Sequence, residues 1–166
     1  MLAFLLLVVG VISRVIVHIP NFTPVIAIAL FGGVYLKKNQ AFWLPLVLLG
    51  ISDVIIGFHE TMFFTWGSIL LISVLGMWLK DNKNALTVFS TSLWASILFF
   101  VVTNLGVWLV SGLYPLTMQG FKDCFLLAIP FFRYEALSTL IYATVFFGAY
   151  ELIALKVKKT RLAHVL

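Results

Sequence analysis

From Asn84 to Phe121 the chain carries no Asp, Glu, Lys or Arg, and between Ala41 and Leu79 it carries only Asp53 and Glu60. Stretches of this length without charge exceed what a soluble core can hide, because a soluble domain carries roughly a quarter charged residues. Here 63% of residues are hydrophobic and 10% charged, with a mean hydropathy of +1.13. Lipid has to be the solvent for much of this surface.

A membrane-spanning helix needs about 20 apolar residues. The punctuation of the chain predicts an all-α, polytopic membrane protein of one domain over 1–166, with about six segments at 2–19, 23–36, 41–58, 62–79, 85–113 and 134–155. Pro20 closes the first and Pro24 opens the second, where proline fits the first helical turn. Lys37-Lys38-Asn39-Gln40 and Lys80-Asp81-Asn82-Lys83 make polar turns, and 114–133 reads as an irregular outer segment. The opening MLAFLLLVVGVISR lacks a basic leader region and a small-residue cleavage site, so it reads as a retained first helix. Ala29 and Gly33, four apart, form a small-xxx-small pair suited to close helix packing.

The net charge of +5 does not mark a nucleic-acid footprint, since the cations sit between and after the apolar runs. Lys37, Lys38, Lys80, Lys83, Lys156, Lys158, Lys159 and Arg161 fall on one side if six segments alternate; Arg14, Lys122 and Arg133 do not. The positive-inside rule then places both termini in the cytoplasm of a bacterial inner membrane. Cys124 is the single cysteine, so no intrachain disulfide and no CxxC motif can form.

An ionisable group at membrane depth costs about 2.5–3.5 kcal/mol on insertion scales, which makes each one a candidate for function. Arg14, Asp53, Thr103, Asn104, Glu135, Ser138 and Thr139 all fall in the outer halves of their segments. At the helical rise per residue they share a layer on the order of 10 Å deep. His18, Asn21, His59, Glu60, Tyr114, Lys122, Asp123 and Arg133 join it from the outer loops. The inner half is mostly apolar, apart from hydroxyls at Thr87, Ser90, Thr91 and Ser92 and the acid Glu151. One-sided polarity suits a cup opening outward better than a pore, which needs a continuous lining. The candidate binding residues are Arg14, Asn21, Asp53, Asn104, Trp108, Tyr114 and Cys124. Arg14 and Asp53 could equally pin two helices together by pairing. Trp108 could stack on a ligand, the other tryptophans suit the membrane interface, and Cys124 is either a buried thiol or a soft metal ligand.

GxxxxGK[ST], GxGxxG, HExxH and GxSxG are all absent, so neither P-loop ATP hydrolysis nor these catalytic plans are written in the chain. The expectation is a protein without enzymatic activity, cofactor or metal.

The segments PNFTPVIAIALFGGVYL, PLVLLGISDVIIGFH, FFVVTNLGVWL and GLYPLTMQGFKDCFLLAIPFF together resemble a bacterial family of six-helix membrane proteins assigned to transport. The size, segment number and small-xxx-small pair also resemble the S components of energy-coupling-factor importers, which capture vitamins or metal ions. That resemblance implies a small-molecule substrate, a transmembrane coupling subunit and two ATPases. It also implies a possible corrinoid (cobalamin) ligand, since one branch of S components presents a cysteine to cobalt. A scaffold in an envelope complex and a membrane enzyme are the alternatives.

Overall fold

Val25–Tyr35 is apolar on every side, and a helix hydrophobic all round belongs inside a protein or a bilayer. In the computed structural model, which describes residues 1–17 and 19–157, it lies inside the protein. Among these residues the chain forms α1 (Leu2–Ile16), α2 (Val25–Tyr35), α3 (Lys38–Ile56), α4 (Met62–Asp81), α5 (Ala85–Val110) and α6 (Met118–Val157). Helix α2 is buried from Val25 to Val34 and packs on all five others. Its crossing with α4 is backbone on backbone. A Cβ on Gly33 would lie 2.6 Å from the Ser73 carbonyl oxygen and 2.7 Å from the Gly76 Cα. The small residue at 33 is thus used for packing, with Gly76 as its counterpart.

The helices alternate in direction. One end of the bundle carries the turns 19–24, 57–61 and 111–117. The other, lysine-bearing end carries Lys37, Lys38, Lys80, Lys83 and Lys156; Lys158, Lys159 and Arg161 lie outside the described residues. Three elements are braced at the lysine end. Tyr35 donates to Glu151, Lys83 donates 3.0 Å to the Tyr35 hydroxyl and pairs with Glu151, and the Lys83 ammonium sits 4.6 Å from the Tyr35 ring centre. Helix α5 starts at the same end on a reciprocal cap: Asn84 Oδ1 accepts from the Thr87 N–H at 2.9 Å, and Thr87 Oγ1 accepts from the Asn84 N–H at 2.8 Å.

Four helices, α3 to α6, are long and apolar enough to cross a membrane; α1 and α2 are shorter. Phe4, Trp43, Val54, Leu71, Trp78, Leu86, Trp94, Leu126, Leu137 and Leu152 are exposed around the bundle, an apolar girdle that water would not tolerate. This is a membrane protein.

The expected irregular segment 114–133 is a correction. Only 111–117 is a turn, and α6 runs unbroken for 40 residues from Met118. Thr117 Oγ1 accepts from the Gly120 N–H at 3.1 Å, which caps the first turn. Pro130 removes one backbone donor but does not end the helix, as membrane helices allow when neighbours support them. The support is visible: Phe100 of α5 packs on Phe125 and Phe132, on both sides of the proline, with ring centres 5.7 and 4.9 Å away.

Candidate functional site

Gly10 faces α2 and α3 so closely that a Cβ there would lie 2.9 Å from Ile28 Cδ1 and 3.0 Å from Leu48 Cγ. One turn further along the same face of α1 comes Arg14. The close approach carries its guanidinium to α3, where Nη1 stands 2.7 Å from Asp53 Oδ1 and donates to Ser52 Oγ at 2.6 Å. The Ser52 hydroxyl proton goes to the Leu48 carbonyl at 2.8 Å. Asp53 is 1% exposed, and a carboxylate so far from water needs more than one partner. The Trp66 indole N–H from α4 donates to Oδ2 at 2.8 Å. A cation, an acid, a hydroxyl and an indole thus join α1, α3 and α4 at one level.

The cavity opens beside this cluster, at the end opposite the lysines. It consists of two adjoining hollows of about 270 Å³ and 440 Å³ that share Arg14, Pro20, Asn21, Thr65, Phe99 and Glu135. The larger adds Phe100, Thr103 and Asn104 from α5, Phe131 from α6 and His59 at the rim. Asn21 holds φ at +59°, a left-handed conformation that asparagine tolerates better than most residues. This bends the α1–α2 turn over the cavity. The Asn104 amide N–H donates to the Phe100 carbonyl at 2.7 Å. His59 Nδ1 lies 3.0 Å from Thr61 Oγ1.

Glu135 reaches the cavity from α6 and is 4% exposed. Among the described residues its carboxyl makes no ion pair and Oε1 has no hydrogen-bond partner. Thr139, one turn on, is buried with its hydroxyl likewise unpartnered. Between them Ser138 Oγ donates to the Thr23 carbonyl at 3.1 Å, tying α6 to the α1–α2 turn. The described residues contain no cluster of three or more His, Cys, Asp or Glu able to hold a metal.

Of the candidates read from sequence, Arg14, Asn21 and Asn104 line the cavity, and Asp53 stands behind Arg14 as its counter-ion. Trp108, Tyr114 and Cys124 are not among the lining residues. Trp108 instead donates to the Pro115 carbonyl at 3.1 Å and packs edge-on to Phe121, 5.3 Å away. Both contacts arise because α6 begins at 118 and brings the 111–117 turn back onto α5. Cys124 is 2% exposed, its thiol 3.4 Å from the Asn104 carbonyl oxygen as donor. It is a buried packing residue, which removes the thiolate ground for a corrinoid. His18 lies outside the described residues. Sequence reasoning missed Trp66 and the phenylalanines 99, 100 and 131, which nothing distinguishes from the many other aromatics. It placed Glu135 in the polar layer without assigning it to the site, although a lone acid between Tyr134 and Ala136 in an apolar run was a usable signal.

Residues 1–162 match a family of unknown function (DUF6580), and the chain belongs to it. No curated protein and no solved structure matches the chain.

Proposed function

We propose that this DUF6580 member is a solute-binding membrane subunit of an importer, holding a small molecule in the cavity beside Arg14 and Glu135 with that end facing outward. The observation that carries the reading is a cavity at the end opposite the lysines that gathers Arg14, Asn21, Thr103, Asn104 and the unpartnered Glu135. Cavities of a few hundred Å³ suit small ligands. Below it the Gly33–Gly76 crossing closes α2 onto α4. A second hollow, between α5 and α6 at the lysine end, shares no lining residue with it. That supports a binding cup over a channel. The lysine distribution supports the outward orientation. The chain has no nucleotide-binding motif, so energy for uptake would come from a coupling subunit and ATPases encoded elsewhere.

The test is mass spectrometry of small molecules copurifying with the detergent-solubilised protein, followed by thermal unfolding with each. A ligand of the native state at free concentration c stabilises it by RT ln(1 + c/Kd), so Tm rises with the logarithm of ligand concentration above Kd. A copurifying solute that raises Tm of wild type but not of Asn104→Leu supports the cup. If no solute copurifies and none raises Tm, the scaffold reading replaces it.

A further inference from the structure

Among the described residues the charges around the cavity do not balance. From α1 comes Arg14, already neutralised by Asp53 of α3. The α3–α4 turn contributes His59, bonded to Thr61. α5 contributes only amide, hydroxyl and apolar side chains. From α6 comes Glu135, and the nearest cation in sequence, Arg133, is turned away: it is exposed, lies 4.8 Å over the Tyr134 ring and donates to the Tyr134 hydroxyl at 3.1 Å. Among the described residues Glu135 therefore enters the cavity as an acid without a counter-ion, with Oε1 unpartnered. A buried acid left so is unfavourable as an ion: it keeps its proton until a cation arrives to pair with it.

Resting on the cup reading above, we infer that the solute is a small organic monocation whose protonated nitrogen pairs with Glu135. One positive charge closes the balance; an anion or a zwitterion would leave the cavity charged. The walls agree with an organic body. Phe99, Phe100 and Phe131 supply apolar surface and ring faces that attract a cation. Asn21 and Asn104 supply amide groups for whatever polar substituents the solute carries.

The experiment uses the full chain in detergent and four probes of one shape: phenethylammonium, 2-phenylethanol, L-phenylalanine and 3-phenylpropionate. Phenethylammonium is expected to bind at least about tenfold more tightly than the alcohol, as a charge-assisted hydrogen bond gives, with the zwitterion and the anion no better than the alcohol. In Glu135→Gln the cation should lose that advantage, while the ligand-free variant melts at or above wild type because a buried acid is gone. If Glu135→Gln shows no cooperative melt, Glu135→Asp takes its place, and the cation preference must shrink in it. A preference for phenylpropionate or phenylalanine, or a cation preference untouched in the variants, overturns the inference and leaves the cup standing. Absence of binding by all four probes overturns the inference as well, while the cup stands or falls on the copurification test.

Discussion

Replacing Asp53 by alanine leaves the part-buried Arg14 guanidinium beside Ser52 with its ion pair gone. Breaking such a pair costs about 3–5 kcal/mol, to be read as a lowered Tm in detergent. Arg14→Leu and Asp53→Leu combined should cost less than the two single changes added together, since the double variant strands no charge. Strict additivity in that cycle would mean the residues do not couple. At this scale the sequence was informative where a residue is expensive: Arg14 and Asp53 stand out because lipid penalises them, and their common depth follows from the helical rise. It was silent where a residue is ordinary. Trp66 looks like any interfacial tryptophan until α4 folds against α3 and sets its N–H on Asp53.

Between elements, the contact of α2 with α4 has no side chain to absorb a change. A Cβ on Gly76 would run into the Leu30 carbonyl and lie 3.0 Å from the Leu30 Cα. Gly76→Ala should therefore destabilise by about 1–3 kcal/mol, as overpacking does, whereas Gly67→Ala, with open space around it, should be neutral or better by thermal unfolding. The brace at the lysine end gives a pH signature. Burial pulls the Lys83 ammonium down, but its hydrogen bonds to Glu151 and Tyr35 outweigh this and hold it above the ordinary 10.5. A raised folded-state value contributes stability that is complete below 10.5 and is lost as pH climbs past it. Tm should fall in that alkaline window, and Lys83→Met should flatten the fall; an unchanged slope would show that the brace is not what titrates. Hydropathy made five of the six helices legible to within a few residues. It failed from 118 to 133, because Pro130 and a mixed composition read as a break, and only packing on α5 reveals that the helix continues.

For the molecule as a whole, reporter fusions after Lys38, after Lys83 and at the C-terminus should report cytoplasm, and fusions near Glu60 and Met118 the opposite side. A C-terminus on the side of Glu60 would contradict six alternating helices. The alternation could be anticipated because the lysines cluster at every second turn. The enclosure of α2 could not, since a buried helix and a membrane-spanning one have the same apolar composition. One consequence follows from α1. It has 15 residues, about 22 Å at the helical rise, against about 30 Å of hydrocarbon. It packs on α3 and α2 and turns Phe4, Leu5, Ile12 and Ile16 outward. Acyl chains touching that flank must shorten to meet it, at a fraction of a kcal/mol for each ångström. A bilayer of that thickness would thin along the wall that carries Arg14, so lipid thickness would act as an elastic load on the cavity, greatest in long-chain membranes and relieved in short-chain ones.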